Sequence, residues 1–287
     1  MSPKIKNFIV RAITGALFVA IMVAGLLDPT AMIGLFALIT GLALWEYTGL
    51  VNNIENVCIN RFISTVAGVY LFVAIAGINS GIIQTNAVFV PYLLTVVYLF
   101  ISELYTRNAN AVNDWAYTML GQMYIALPLA CINVLAFRQQ PDGTISFYFL
   151  LPLSVYIFLW VNDTGAYLSG SLLGRHKLFP RISPGKSWEG SIGGGLLVLA
   201  VAALLGWWEN SHECLSGLSV IEWMGLGLVV VFFGTWGDLV ESLFKRTLGI
   251  KDSGSILPGH GGMLDRFDSS LMAIPASVIY IYSLTLL

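Results

Sequence analysis

Charged side chains are scarce in this 287-residue chain: they make up 10% of it, against about 25% in soluble domains. Hydrophobic residues make up 57%, and the mean hydropathy is +0.80. A soluble fold of this size could not bury that much apolar side chain, so the composition excludes a soluble enzyme and indicates an integral membrane protein. The net charge of −2 and the lack of a basic run give no indication of nucleic acid, and we expect no nucleic-acid partner.

Cysteine is scarce as well: there are three, Cys58, Cys131 and Cys214, and they lie far apart. This spacing offers neither a zinc site nor a disulfide framework. The chain also lacks a signal-peptidase site, because the basic start up to Arg11 and the apolar run to Leu27 are not followed by an A-x-A-like sequence. We therefore interpret this start as an uncleaved first membrane span.

Long polar stretches are absent, and nine apolar segments are each long enough to cross about 30 Å of hydrocarbon. The predicted fold class is therefore all-α, a polytopic helical bundle in which each span satisfies its own backbone hydrogen bonds. Residues 1–287 form a single membrane domain, in which 1–137 have no assigned role and 147–287 hold the candidate site and its loops. The predicted spans are 8–27, 30–50, 62–83, 87–105, 115–137, 147–172, 191–208, 219–243 and 268–287.

Positive charge lies almost entirely on one side of these spans. Of the 14 Lys and Arg residues, all except Arg138 fall at the N-terminus, in the even-numbered loops or at the adjoining span ends. The positive-inside rule then places the N-terminus in the cytoplasm and the C-terminus outside. Trp207, Trp208 and Trp223 flank the opposite side, where we interpret them as anchors at the membrane interface.

The tripeptide at 185–187 reads Gly-Lys-Ser, which is how a phosphate-binding P-loop ends. That motif requires a further glycine where Pro180 stands, so a P-loop is excluded. The chemistry still suits an anion, because Lys186 can meet a phosphate while Ser183 and Ser187 can donate hydrogen bonds. The alternative that stays open is a loop in which the Pro-Gly pair at 184–185 forms a turn and Ser187 caps a helix.

Four carboxylates lie in or near the ends of apolar spans, where an ionised group is costly unless it is paired or binds a metal. They are Glu46, Asp163, Asp238 and Glu241. Glu46 has no other polar chemistry nearby in the sequence, so a helix-end or interhelical hydrogen bond competes with a role in a site. We expect Glu46→Gln to retain substantial activity, because glutamine keeps the hydrogen-bonding capacity.

Most other polar side chains fall in two loops of the predicted cytoplasmic side, 174–190 and 244–267. Asp265 and Asp268 are three residues apart at the start of the last span, where favourable placement at a helix N-terminus is the alternative to a site. Carboxylates from several helices beside cationic loops suit a hard cation, Mg²⁺ rather than zinc, together with phosphates. The cationic side chains concerned are Lys186, Lys245, Arg246, His260 and Arg266.

Residues 242–268, SLFKRTLGIKDSGSILPGHGGMLDRFD, closely resemble the C-terminal signature of phosphatidate cytidylyltransferases, also called CDP-diacylglycerol synthases. The stretches NDTGAY at 162–167 and SPGKSWEG at 183–190 are similar to that family too. The family often has threonine where Ser187 stands, a change that keeps the hydroxyl. By motif the resemblance covers residues 160–268, whereas the first five spans match only in hydropathy.

The resemblance implies transfer of a cytidylyl group from CTP to phosphatidic acid, giving CDP-diacylglycerol and pyrophosphate for phospholipid synthesis in a bacterial inner (plasma) membrane. It implies Mg²⁺ held by Asp238 and Asp265, with a second, monovalent cation such as K⁺ nearby, and it is compatible with a homodimer. The implied catalytic residues are Asp238, Asp265, Lys186 and Arg266. The implied substrate-binding residues are Ser183, Gly185, Ser187, Asp163, Lys245, Arg246, Lys251, Asp252, His260 and Gly261.

Two other functions remain open. Intramembrane carboxylates and the glycine-rich stretch at 162–174 would also suit an ion-coupled transporter. A transporter predicts charge along a path through both leaflets, whereas the charge here lies toward one face. A related CTP-dependent lipid kinase, such as a polyprenol kinase, would use the same nucleotide.

Overall fold

The structure is a computed structural model that describes residues 3–106, 110–140, 142–212, 216–256 and 261–284, with side chains from residue 12 onward. Within these ranges nine helical segments occur, one at each of the nine predicted spans, together with two short hairpins. The helices are α1 (Pro3–Leu27), α2 (Pro29–Val51), α3 (Arg61–Asn79), α4 (Asn86–Ser102), α5 (Ala111–Ala136), α6 (Leu150–Leu173), α7 (Trp188–Ser211), α8 (Val220–Thr247) and α9 (Leu264–Leu284).

Six of these helices, among the described residues, are long and apolar enough to cross a membrane: α2, α3, α5, α7, α8 and α9. The apolar part of α1 and the whole of α4 are shorter, 10–17 residues. The prediction of an all-α polytopic membrane protein is confirmed, whereas crossing by α1, α4 and α6 stays a prediction. The third span is shorter than predicted because Asn79 and Ser80 end the helix, with Ser80 as its cap.

The chain divides into two compact units. The N-terminal unit consists of residues 1–149 and 248–267, and the C-terminal unit consists of residues 150–247 and 268–287. The segment 248–267, which the sequence groups with the last spans, therefore belongs to the N-terminal unit. Helix α9 begins in the one unit and continues in the other.

In the N-terminal unit, α2, α3 and α5 enclose a buried core that contains a few polar side chains. The Tyr47 hydroxyl donates to the Tyr117 carbonyl at 2.9 Å, and the buried amide of Gln122 donates to the Ser64 carbonyl at 2.8 Å. A turn of π-helix at Gln122–Ala126 interrupts α5. Strands β1 (Phe137–Gln139) and β2 (Ile145–Phe147) form an antiparallel hairpin after it.

In the C-terminal unit, small residues let α6 and α7 approach closely, as is common between membrane helices. A Cβ atom on Gly165 would lie 2.9 Å from the Cα of Gly194. The Ser169 hydroxyl bridges the two helices, since it lies 2.6 Å from the Gly165 carbonyl of α6 and 3.2 Å from the Gly190 carbonyl of α7. The NDTGAY stretch on α6 is thereby placed against the first turns of α7.

The interpretation of Trp223 as an interface anchor is wrong. Its side chain is fully buried in the C-terminal unit, and its indole N–H donates to Glu209 Oε2 at 2.6 Å. Glu209 also accepts from the backbone N–H and the hydroxyl of Ser216, so Trp223 completes a buried polar cluster. Trp207 and Trp208 are exposed, as an interface position requires.

Candidate active site

A hairpin delivers the SPGKS stretch to the start of α7. Strand β3 (Lys177–Phe179) pairs antiparallel with β4 (Ser183–Ser187), with an irregular register between the two ends. The predicted helix cap is confirmed, because Ser187 Oγ accepts the N–H of Gly190 at 3.2 Å. The predicted Pro-Gly turn is wrong, because residues 184–185 lie within β4 and the turn falls at 180–182.

Glu189, in the first turn of α7, fixes the chain just before this hairpin. Its carboxylate accepts the backbone N–H of Arg175 at 3.1 Å and that of His176 at 3.2 Å. It also lies 2.5 Å from Nδ1 of the exposed His176 ring. The end of α6, the hairpin and the start of α7 are thus tied together, and this positions the side chain that precedes Ser187.

That side chain is Lys186, which forms an ion pair with Asp238 of α8. The Lys186 Nζ lies 2.5 Å from Asp238 Oδ2, and both side chains are about one quarter exposed (26% and 28%). Nζ also lies 3.4 Å from the Thr235 carbonyl, and the Ser242 hydroxyl donates to Asp238 Oδ1 at 3.1 Å. Two residues that the sequence proposed separately are therefore in direct contact, and both remain accessible to a ligand.

A cavity of about 180 Å³ opens beside this pair. Polar and small residues from α6, β4, α7 and α8 line it, and it is called the polar cavity below. Its size and its lysine suit phosphate groups better than an apolar ligand. The lining residues are Asn162, Asp163, Ala166, Tyr167, Gly185, Lys186, Ser187, Gly190, Ser191 and Thr235.

A second, larger cavity of about 370 Å³ adjoins the first, since Ser191 and Thr235 line both. It runs between α7 and α8 and is called the apolar groove below. Trp188, Leu196 and Phe232 are more than half exposed along it. A polar cavity that continues into an apolar groove fits an amphiphilic ligand with a charged head and a hydrocarbon tail.

The carboxylates of the C-terminal unit provide the oxygen ligands that a hard cation prefers. Asp268 lies within electrostatic range of Asp238, Asp163 and Lys245, and carboxylate oxygens are preferred ligands of Mg²⁺. Among the described residues, no three His, Cys, Asp or Glu side chains are grouped as a complete metal site. Mg²⁺ commonly takes one or two carboxylates and completes its shell with water and substrate phosphates, so this donor set fits it.

Lys245 and Glu241 form a separate ion pair on α8. Their charged atoms lie 2.5 Å apart, and the glutamate side chain is fully buried. This pair gives Lys245 a structural partner, while Arg246 beside it is exposed. Both cations lie within the last turn of α8 rather than in a loop, because the helix extends to Thr247.

The remaining predicted site residues belong to the N-terminal unit. Lys251, Asp252 and Arg266 are exposed, and Gly261 has φ +83°, a left-handed conformation that favours glycine. Asp265 Oδ2 accepts two backbone N–H groups, and its role as a metal ligand stays a prediction. His260 lies outside the described residues.

Comparison with known proteins supports the resemblance found in the motifs. The sequence profile of the Cytidylyltransferase family matches residues 6–284. The chain belongs to this family. Proteins named phosphatidate cytidylyltransferase from Staphylococcus aureus and Staphylococcus epidermidis are each 32% identical to it over 267 residues, which is 93% of this chain and 96% of theirs. One of the same name from Haemophilus influenzae is 32% identical over 255 residues, 84% of this chain and 87% of its own.

The family match extends the resemblance to the first five spans of this chain, which by motif could not be assigned. The structure adds residues that sequence reasoning missed. Asn162 and Tyr167 line the polar cavity from within the NDTGAY stretch, and Thr235 turns its carbonyl toward Lys186. For Asn162 and Tyr167 the motif itself was the available signal. No signal marked Thr235, because a backbone carbonyl has no sequence signature.

Proposed function

We propose that this chain is a phosphatidate cytidylyltransferase. A phosphate oxygen of phosphatidic acid attacks the α-phosphorus of CTP, and a new P–O–P linkage forms. The bond between the α-phosphorus and the oxygen that bridges it to the β-phosphorus breaks. Pyrophosphate leaves with the bonding electrons, and CDP-diacylglycerol is the product. The observation that carries this proposal is the Lys186–Asp238 pair beside a polar cavity that continues into an apolar groove. The names of the similar bacterial proteins support it.

Bringing two polyanions together is the main difficulty of this reaction, so positioning and charge compensation should supply most of the catalysis. Lys186 is placed to exchange its contact with Asp238 for a CTP phosphate. Ser183 and Arg266 are further proposed phosphate contacts. The phosphate of the lipid is largely ionised near neutral pH, since its second pKa lies near 6, so no strong general base is required.

Mg²⁺ is the proposed cofactor, with Asp238 as its ligand in the C-terminal unit and K⁺ as a candidate second cation. When bound, the metal would supply positive charge to the CTP phosphates. Asp238 is suited to this role because its Oδ2 contacts Lys186, while its Oδ1 accepts a hydrogen bond from the neutral Ser242 hydroxyl.

The proposed function and its two rivals predict different outcomes in assays with purified protein. With purified protein and CTP, we expect pyrophosphate release that requires phosphatidic acid and does not occur with diacylglycerol or a polyprenol. CDP formation with an alcohol acceptor would instead identify a lipid kinase. CTP-independent ion flux in proteoliposomes, without lipid turnover, would identify a transporter.

The proposed orientation places the N-terminus and the site in the cytoplasm of a bacterial cell and the C-terminus outside. Two native thiols test it. Cys58 is exposed in the loop between α2 and α3 and should be cytoplasmic, whereas Cys214, outside the described residues, should be external. Cys131 lies within α5 and is partly buried.

In spheroplasts carrying single-cysteine variants, a membrane-impermeant maleimide should label Cys214 and should spare Cys58 until the membrane is opened. Cys131 serves as the control and should stay unlabelled in both conditions. Labelling of Cys58 in sealed spheroplasts would reverse the orientation. Labelling of both Cys58 and Cys214 would contradict the count of spans between them.

A further inference from the structure

Glu46 lies on α2, among the apolar residues of the N-terminal unit, yet its carboxylate binds the distant signature segment. Its side chain is buried, with the residue 8% exposed. Oε2 accepts the backbone N–H of Leu264 at 2.9 Å and the hydroxyl of Ser253 at 3.3 Å. Leu264 is the first residue of α9, so Glu46 satisfies a backbone donor that the helix itself leaves without a partner.

Asp265 holds the same segment from the other side. Its Oδ2 accepts the backbone N–H of Ser253 and that of Gly262, each at 2.8 Å. Ser253 thus contacts both carboxylates, its N–H bound to Asp265 and its hydroxyl to Glu46. Together the two carboxylates fix residues 253–254 against residues 262–265.

Two glycines make this approach sterically feasible. A Cβ atom on Gly254 would lie 2.5 Å from Glu46 Oε1, and a Cβ atom on Gly262 would lie 2.5 Å from Oε2. A side chain at either position would push the carboxylate away from the backbone donors. The glycines of the signature and a glutamate on α2 therefore fit one another, although more than 200 residues separate them.

We propose that Glu46 is a positioning residue for cytidylyl transfer. It holds residues 253–254 and 262–265 in the conformation that presents Asp265 and Arg266, and it acts through these residues rather than on substrate. A carboxylate suits the position because a negative charge is favoured at a helix N-terminus. Removing it would leave buried backbone and hydroxyl donors without an acceptor. The expected effect of Glu46 on turnover rests on the proposed function, whereas its effect on the conformation of residues 253–254 and 262–265 does not.

The test compares Glu46→Ala, Glu46→Gln and the control Thr48→Val in purified protein. Thr48 is a matched control because it is buried on the same helix and its hydroxyl bonds to carbonyls of that helix. We expect Glu46→Ala to lower kcat by about thirtyfold or more with little change in the KM for CTP, since small misplacements of a reacting group cost up to about a hundredfold. Glu46→Gln should keep at least about a third of the wild-type kcat, because its amide oxygen still accepts a hydrogen bond.

Tryptic cleavage after Lys251, which is exposed two residues before Ser253, reports the conformation independently of activity. Trypsin should cut Glu46→Ala several times faster than wild type, because local opening exposes the site more often. It should cut Glu46→Gln and Thr48→Val at about the wild-type rate. If Glu46→Ala does not accumulate, Glu46→Asp replaces it, since a carboxylate shorter by one methylene cannot reach Leu264 and should show the same changes.

The proposal would be overturned if Glu46→Ala kept the wild-type rate of cleavage and the wild-type kcat. It would also be overturned if kcat fell in Glu46→Ala without faster cleavage, or if Glu46→Gln lost as much kcat as Glu46→Ala. A wild-type protein without cytidylyltransferase activity would refute the proposed function alone, because the cleavage comparison would still decide whether Glu46 holds the segment.

Discussion

Asp238→Asn should leave the protein folded and should lower kcat by about a thousandfold or more, since the loss of one strong electrostatic contact in the transition state costs several kcal/mol. The substitution keeps the shape of the side chain and its hydrogen bond with Ser242. It removes the charge that pairs with Lys186 and that would bind Mg²⁺. Steady-state turnover at saturating Mg²⁺ and CTP, with the melting temperature measured alongside, checks this.

Asp28→Asn is the matched control for that experiment. Asp28 caps α2 by accepting the N–H of Ala31 at 2.8 Å, and asparagine is an equally good helix cap. The control should therefore have wild-type activity and stability. An Asp238→Asn protein with more than about a tenth of wild-type turnover would rule out Asp238 as the metal ligand.

Lys186→Ala should lower kcat/KM for CTP by about a hundredfold, because a charge-assisted contact with a phosphate in a partly buried site is worth about 3 kcal/mol. The melting temperature should change little, since the lysine is partly exposed and its pair with Asp238 contributes modestly to folding. Kinetics with varied CTP at fixed phosphatidic acid measure the effect.

Lys177→Ala is the control for the lysine. Lys177 lies in β3 of the same hairpin and is exposed, and it is absent from the lining of the polar cavity. We expect its kcat/KM for CTP to stay within about twofold of wild type, as for most surface substitutions. Unchanged CTP kinetics in Lys186→Ala would reduce the SPGKS stretch to a structural hairpin.

The helices of this fold could be predicted from the sequence because hydrophobic length alone decides where a chain can cross a bilayer. The ends of the spans were less accurate. Helix α8 continues through Lys245 to Thr247, since a helix can extend beyond the hydrocarbon into polar surroundings. The hairpin before Ser187 was missed because its strands are three and five residues long and carry no alternating pattern.

The candidate site was predictable where chemistry is local to a motif and not where it depends on distant contacts. Lys186 and Asp238 were both chosen from sequence, and the structure adds that they form an ion pair. Glu46 was singled out as a carboxylate in or near the end of an apolar span, but its partners Ser253 and Leu264 could not be inferred from spacing. Trp223 was misplaced for the same reason, because its partner Glu209 belongs to the preceding helix.

The most direct test of the account follows the phosphates of CTP through one turnover. Purified protein is given phosphatidic acid, Mg²⁺ and CTP that carries radiolabel at either the α or the γ position. The account predicts that the α label enters the lipid as CDP-diacylglycerol and that the γ label leaves entirely as pyrophosphate. Transfer of the γ label to lipid would contradict it, as would release of either label without a lipid product.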